Sequence, residues 1–176
     1  KKLVYWDLEI NDTENKSMME VLEMQRTEAN VNFTKFIKDN YKYWITGEDE
    51  DRPILSHELM KKKVFPELDN DAPVFFIVID NLRFDQWKIL EPLISEYFNI
   101  DEESNYFSIL PTTTAYARNS IFSGLLPSDM EKYDGDIWVG DDEEGGKNNH
   151  EGEFLNRQLK RRRINVKASY NKVIHV

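Results

Sequence analysis

The first third of the chain has a helical pattern of apolar residues. Between Met18 and Ile45 the apolar side chains fall mostly three or four positions apart, with Glu, Lys, Asn and Asp between them. This spacing predicts one long amphipathic helix. Asp12 or Thr13 is the predicted N-cap, and Gly47 lies where a helix-terminating residue is expected.

A shorter helical pattern follows the acidic stretch GEDEDRP. The sequence ILSHELMKKKVFPEL, residues 54–68, predicts a second helix that ends before Pro66, because a residue that precedes proline disfavours the helical conformation. The two helices predict a helical segment over residues 1–65. We interpret its aromatic stripe as core packed on a neighbouring helix, and a partner-binding or dimerising surface stays open as the alternative. The residues of that stripe are Phe33, Phe36, Tyr41 and Trp44.

Beyond residue 65 the pattern changes to short apolar runs that alternate with helical ones. The run PVFFIVID, residues 73–80, is continuous and apolar, which is typical of a central parallel strand covered on both faces. Further strands are predicted in NYFSIL, INVKASY and KVIHV, and helices in FDQWKILEPLISEYF, Ala115–Ser123 and EFLNRQLKRRR. This order predicts an α/β fold with a doubly wound sheet over residues 66–176. Because KVIHV would be an uncovered strand at the end, we expect the chain to be a fragment.

Composition and charge narrow the possible functions. The 176 residues are 40% hydrophobic but contain no run near the ~18 apolar residues that a membrane span needs, and no signal-peptide pattern, so a cytoplasmic protein is expected. The absence of cysteine excludes disulfides and thiolate metal sites. A net charge of -10 disfavours broad capture of nucleic acid, although a local basic pocket could still hold a phosphate group.

Two of the predicted strands end in polar residues that could carry chemistry. Ligands of a parallel sheet bind beyond the carboxyl ends of its strands. Asp80 follows the run FFIVI, and three threonines, Thr112 to Thr114, follow YFSIL. A carboxylate at the end of a buried strand needs a cation or a hydrogen bond. Asp80 is therefore either a metal ligand or the residue that caps the following turn through an Asx bond.

The threonines directly precede a predicted helix that ends at Gly124. A hydroxyl at the first helical position faces unpaired N–H groups and the positive end of the helix dipole, which would stabilise an alkoxide and bind phosphate oxygens. This arrangement predicts a nucleophile, with a plain N-cap as the alternative. The residues alone do not select which of Thr112, Thr113 and Thr114 would act.

The two elements together resemble a known family. VIDNLRFDQW followed by LPTTTAYARNSIFSGLLPSD resembles the opening of the alkaline phosphatase superfamily, and more narrowly the PglZ domain. The stretches IDNLRFDQW, TEANVNFTKFI and EFLNRQLK are similar to PorX-like response regulators of type 9 secretion. The resemblance implies that Asp80 is a metal ligand and that a threonine is both nucleophile and ligand. Its spacing to Gly124 selects Thr114.

The resemblance also implies a reaction. The expected activity is phosphodiester hydrolysis on oligonucleotides or cyclic nucleotides, with two zinc ions and a covalent phosphothreonine. Arg118, one turn after Thr114, could contact the phosphate or an acidic neighbour, and Asn119 is a further candidate catalytic residue. The remaining Asp and His ligands are expected beyond residue 176, so the site would be incomplete and the fragment inactive.

The histidines do not supply the expected Asp-His pair. The chain contains His57, His150 and His175. We interpret His57 as structural and His175 as a hydrogen-bonded core residue of a strand. His150 could form a metal site with Asp141 and Asp142, but the glycine-rich loop that holds them is better interpreted as solvated surface.

The expected partners also come from the resemblance. They are a phosphodiester substrate, a sensor histidine kinase and an alternative sigma factor, and activation is expected to produce a homodimer without membrane attachment. A different class of function stays open, since a fold does not guarantee chemistry. In that alternative the domain is an inactive signalling or binding module on the same fold.

Overall fold

The computed structural model describes residues 1–11, 16–47, 51–69 and 72–173. The chain forms two compact units. Unit 1 contains Lys1–Arg52 and Ile77–Ser104, and unit 2 contains Pro53–Phe76 and Asn105–Val176. The predicted N-cap, Asp12 or Thr13, and the predicted core residue His175 lie outside the described residues.

Unit 1 is built on one long helix. Its helices are α1 (Lys2–Asn11), α2 (Lys16–Thr46) and α3 (Phe84–Ser95). The long helix and the helix near residue 84 that the sequence predicts are confirmed as α2 and α3, whereas α1 was not predicted. Gly47 ends α2 as expected, because it adopts a φ of 75° and its N–H donates to the Trp44 carbonyl at 3.4 Å.

The aromatic stripe of α2 is only partly covered. Trp44 is buried and meets the Phe36 ring edge-on at 5.3 Å between centroids. Phe33 and Phe36 remain exposed within unit 1. The interpretation of the stripe as core is therefore confirmed for Trp44 and not for the two phenylalanines.

Exposed ion pairs join the other elements of unit 1. The Glu103 carboxylate accepts hydrogen bonds from Lys1 Nζ at 2.5 Å and from Lys88 Nζ at 2.6 Å. These two ammonium groups, Lys1 first, lower the pKa of Glu103 to about 2. Arg26 on α2 pairs with Asp7 on α1 at 2.5 Å. Charge pairing therefore accompanies the packing of α1 against α2 and α3.

Unit 2 begins with short helical turns. The single helix predicted over residues 54–68 is replaced by a 3-10 turn at Ser56–Glu58, a π turn at Met60–Val64 and a 3-10 turn at Phe65–Asp69. The predicted stop before Pro66 is confirmed for the π turn, which ends at Val64, but a new 3-10 turn begins at Phe65 and includes the proline. Proline is tolerated in the first turn of a helix, where its missing N–H would have no partner, and Pro66 is the second residue of its turn.

The remaining helices of unit 2 surround a small core. A π turn at Thr114–Arg118 leads directly into α4 (Asn119–Ser123), followed by α5 (Pro127–Asp134) and α6 (Glu151–Arg161). The predicted helix Ala115–Ser123 is confirmed within one residue, EFLNRQLKRRR is confirmed in the main as α6, and α5 was not predicted. The core side chains that are nearly or fully inaccessible to solvent include Leu55, Ile109, Met130 and Phe154.

The predicted sheet is not confirmed. Among the described residues there is no strand, and the one β-bridge joins Leu55 and Phe107 in parallel. In PVFFIVID the side chains of Phe75, Ile77 and Ile79 are 81%, 76% and 59% exposed. NYFSIL and INVKASY likewise form no strand, nor do the described residues of KVIHV. An apolar run becomes a strand only when neighbouring strands pair its backbone and cover its faces.

None of the described helices combines the length and apolarity needed to cross a membrane.

Candidate functional site around the Thr114 helix

The helical segment that follows the threonines begins with an unusual turn. Thr113 has an extended backbone, with φ -79° and ψ 161°, and Thr114 is the first helical residue. The Thr113 carbonyl accepts hydrogen bonds from the N–H groups of Tyr116 at 3.2 Å and Ala117 at 2.8 Å. The first turn, Thr114–Arg118, is a π turn, a geometry that occurs frequently at functional sites.

The threonine side chains differ in exposure. Thr112 and Thr113 are exposed, and Thr114 is half-buried. Thr113 occupies the N-cap position but its side chain makes no capping hydrogen bond. Thr113 therefore does not act as the side-chain N-cap that the alternative interpretation requires. Thr114 is the hydroxyl at the first helical position, where the sequence predicted a nucleophile.

The other end of this helix is fixed by Gly124. Its φ of 67° and ψ of 23° are left-handed, and its N–H donates to the Ser120 carbonyl at 2.9 Å. Gln158 of α6 donates from Nε2 to the carbonyls of Ile121 at 3.1 Å and Phe122 at 2.9 Å. A Cβ on Gly124 would lie 2.7 Å from Gln158 Cδ, so glycine allows α6 to bond the last turn of α4.

Arg118 contacts an acidic neighbour. Its Nη2 donates to Glu151 Oε2 at 3.1 Å, and its Nε contacts Glu151 Oε1. Glu151 is completely buried, and the Tyr170 hydroxyl donates to the same Oε2. Burial first, and then the hydrogen bond to Glu151, raises the pKa of Tyr170 to about 12. Of the two alternatives for Arg118, the structure shows the acidic neighbour; its predicted catalytic role stays a prediction.

Asn119 connects the helix to a loop. Its side chain is buried, and Nδ2 donates to the Lys147 carbonyl at 2.8 Å and to the Ala115 carbonyl at 3.3 Å. Trp138 Nε1 also donates to the Ala115 carbonyl, at 2.8 Å, and the Trp138 ring meets Tyr116 edge-on. The residues between α5 and α6 are thus tied to the first turn of the Thr114 helix. A catalytic role for Asn119 stays a prediction.

The loop histidine does not gather metal ligands. Asp141 and Asp142 are exposed, as expected for a solvated loop. His150 Nδ1 lies 3.6 Å from Glu153 Oε2 at the start of α6. His57 lies in the 3-10 turn Ser56–Glu58.

The predicted metal ligands lie in different units. Asp80 belongs to unit 1, where it is exposed and its Oδ1 accepts from the Asn81 N–H at 3.1 Å. Thr114 belongs to unit 2. Within the described part of the chain, no three His, Cys, Asp or Glu side chains are grouped to hold a metal ion. A zinc site normally needs four ligands, so the two oxygen donors do not fit a complete zinc site by themselves.

Sequence patterns missed Glu151, Tyr170 and Trp138. Glu151 lies in the polar stretch NNHEGE, whose composition predicts a loop, although α6 begins at Glu151. The available signal is the position of an acidic residue at a helix start, which the dipole favours. The partners Arg118 and Tyr170 are 33 and 19 residues away, and no local pattern connects them.

Comparison with known families adds the decisive observation. Residues 59–176, more than half of the chain, match the model of the BREX system PglZ alkaline phosphatase-like domain. The chain belongs to the PglZ family. Residues 1–45 match the PorX response regulator linker domain, so the chain combines the parts of a PorX-like regulator with a hydrolase-like domain. No curated protein matches the chain.

The PglZ match includes every residue of the candidate site. Asp80, Thr114, Arg118 and Asn119 all lie within residues 59–176, as does Glu151. The linker match ends at residue 45 and the PglZ match begins at residue 59. The predicted division of the chain into residues 1–65 and 66–176 stays a prediction.

Proposed function

We propose that the PglZ domain hydrolyses phosphodiesters with Thr114 as its nucleophile. The observation that supports this most directly is the position of Thr114 as the first residue of a helical segment whose N-cap side chain makes no capping bond. The N–H groups that begin a helix have no intrahelical partner and carry partial positive charge. A phosphate group beside Thr114 would meet both the hydroxyl and these donors.

The proposed reaction has two displacements at phosphorus. The Thr114 Oγ attacks, an Oγ–P bond forms, and the bond from phosphorus to one ester oxygen breaks while the departing alkoxide takes up the hydroxyl proton. Water then cleaves the Oγ–P bond, which restores the threonine and releases a phosphate monoester. The doubly wound sheet of the alkaline phosphatase superfamily is part of this proposal, as are oligonucleotides or cyclic nucleotides as substrates.

Zinc dependence belongs to the same proposal. Asp80 and Thr114 supply oxygen donors, which suit zinc and also manganese. A bound zinc ion would lower the pKa of a threonine hydroxyl and polarise the phosphoryl group. Since two donors do not complete a zinc site, metal dependence needs a direct measurement.

The nucleophile is tested by threonine-to-valine substitution in the full-length protein. Thr114→Val should abolish turnover of bis-p-nitrophenyl phosphate, because valine has the same shape and no hydroxyl. Thr112→Val and Thr113→Val are the matched controls and should keep turnover. Acid-quenched reactions should contain a peptide that carries a p-nitrophenyl phosphoryl group on Thr114, because the first displacement expels only one p-nitrophenolate. Equal turnover in Thr114→Val and wild type would refute the assignment.

The metal is tested by elemental analysis of the purified full-length protein. Asp80→Ala should lower the bound zinc, because it removes a proposed ligand. Asp85→Ala is a control near in sequence, since Asp85 already pairs with Arg83 at 2.8 Å. Full zinc occupancy in Asp80→Ala would exclude Asp80 as a ligand.

Regulation follows the PorX-like arrangement. We propose that the domain acts in type 9 secretion under a sensor histidine kinase, contacts an alternative sigma factor and dimerises when activated. Sedimentation of the phosphorylated and unphosphorylated full-length protein tests the dimer. If wild-type protein binds an oligonucleotide but never cleaves it, the domain is the inactive binding module and the Thr114 mechanism is wrong.

A further inference from the structure

We infer that Glu151 is a positioning residue for the Thr114 helix. Its carboxylate pairs with Arg118 through both oxygens, and Oε2 also accepts the Tyr170 hydroxyl, which fixes the π turn that carries Thr114. The inference rests on the proposed function for the role of Thr114. Glu151 itself is not proposed to touch the substrate.

The contacts of Glu151 join three parts of unit 2. Arg118 is the last residue of the π turn, Glu151 is the first residue of α6, and Tyr170 lies after α6 in a segment without regular secondary structure. Glu151 is completely buried, and a buried carboxylate is stable only when cations or donors surround it. The carboxylate therefore cannot leave this position without breaking contacts with both partners.

Glycine at position 152 makes the arrangement possible. A Cβ built on Gly152 would lie 2.9 Å from the Tyr170 Cβ and 3.0 Å from its Cγ. These atoms are at the base of the tyrosine side chain, so they cannot move aside without moving its backbone. Tyr170 packs directly on the first turn of α6 because no side chain stands between them. Gly152→Ala should therefore push the tyrosine away from Glu151 without changing any charge.

Unit 2 contains a matched control for this carboxylate. Asp134 is 1% exposed, and each of its two carboxylate oxygens accepts a hydrogen bond from Arg161 Nη1 at 3.0 Å. Arg161 Nη2 also donates to the Ser123 carbonyl at 2.7 Å. Asp134 is thus buried and paired with arginine as Glu151 is, with Arg157 Nη1 at 3.3 Å as a second cation, but it acts at the end of the helix opposite to Thr114. A purely structural role would make the two carboxylates equivalent.

The experiment compares Glu151→Gln with Asp134→Asn in the full-length protein. Each substitution keeps the side-chain shape and removes one buried charge. For Glu151→Gln we expect amide hydrogen exchange at residues 114–119 to rise about tenfold, and kcat for bis-p-nitrophenyl phosphate to fall about tenfold with KM nearly unchanged. Asp134→Asn should affect neither quantity by more than about twofold at a temperature below both unfolding transitions.

Two milder variants keep the test decisive if Glu151→Gln fails to fold. Tyr170→Phe removes only the hydroxyl, and Gly152→Ala displaces only the ring; both should raise exchange at residues 114–119 and lower kcat in the same direction. Restoring a carboxylate as Glu151→Asp should recover part of the kcat lost in Glu151→Gln. Equal exchange and equal kcat in the Glu151 and Asp134 variants would overturn the inference.

Failure of the proposed function is distinguishable from failure of this inference. If wild-type protein shows no turnover, the Thr114 mechanism fails, and the exchange measurement alone decides whether Glu151 holds the first turn. If wild-type protein turns over and Glu151→Gln leaves exchange and kcat unchanged, the positioning role fails and the nucleophile stands.

Discussion

The two compact units pair their charges in different ways. In unit 1 the Glu103 and Asp7 side chains keep 31% and 24% of their surface exposed while they bind lysine or arginine. In unit 2 Glu151 and Asp134 are buried and are held by arginines. Exposed ion pairs contribute about 0–1 kcal/mol, whereas removing one partner of a buried pair costs about 3–5 kcal/mol. The same chemistry therefore supports surface packing in one unit and fixes a candidate active-site helix in the other.

The helices of the two units also differ in burial, with more exposed residues in unit 1. The long α2 leaves Met24, Val31 and Phe33 exposed within unit 1. All five residues of α4 are buried. Helical periodicity predicts both helices, but it does not say how much of each is covered. Substitutions in α4 and its partners should therefore have larger effects than equivalent substitutions in unit 1.

The largest difference in stability loss is expected between removing the arginine of a buried ion pair and removing the arginine of an exposed one. Arg118→Ala should destabilise unit 2 by about 3–5 kcal/mol, because it leaves Glu151 buried without its cation. Arg26→Ala in unit 1 should cost no more than about 1 kcal/mol, because Asp7 becomes solvated. Urea unfolding of the full-length variants, with the Glu151→Leu/Arg118→Leu double variant as a control for charge burial, gives both values. Similar losses for Arg118→Ala and Arg26→Ala would contradict the comparison.

A smaller difference in stability loss is expected between alanine substitutions at two glycines with similar backbone dihedral angles. Gly47 and Gly124 have φ values of 75° and 67°, so alanine at either position costs about 1–2 kcal/mol in backbone strain. At Gly124 the new methyl group would also meet Gln158, which is held by its bonds to α4. Around Gly47 no heavy atom of the described chain lies within 4 Å of that methyl group. Gly124→Ala should therefore lower the thermal unfolding midpoint more than Gly47→Ala, and equal shifts would show that Gln158 moves aside freely.

The smallest effect concerns acid stability in unit 1. Lys1 and then Lys88 lower the pKa of Glu103 to about 2 from its ordinary 4.5. A lowered carboxyl pKa stabilises the folded state above pH 4.5, and this contribution is lost as the pH falls from 4.5 to about 2. Glu103→Gln should remove this contribution, so the variant should be slightly less stable than wild type at neutral pH, and the difference should vanish as the pH falls towards 2. The measurement is the unfolding midpoint of both proteins between neutral pH and pH 2. If the pH dependence of the Glu103→Gln midpoint were parallel to that of wild type, Glu103 would make no pH-dependent contribution.

Local sequence signals were sufficient to predict the helices that have a regular apolar spacing and a terminating glycine. The spacing of apolar residues and the terminal glycine predicted α2 and its end at Gly47, and the same signals predicted the segment ending at Gly124. The position of Thr114 at a helix start also followed from sequence, because capping and termination depend on residues a few positions apart. Helices α1 and α5 were missed; α5 is short and mostly polar, although Pro127 at its first position is a helix-start signal.

Other features depended on residues far apart in the chain. The run PVFFIVID is as apolar as a central strand, yet it forms none within the described residues because its backbone has no neighbouring strand to pair with. The joining of Arg118, Glu151 and Tyr170 could not be predicted, since each belongs to a different segment. Sequence alone determined the family and where the candidate nucleophile stands on its helix. Tertiary structure decided which carboxylate is buried against that helix, because burial and pairing are set by packing between distant segments.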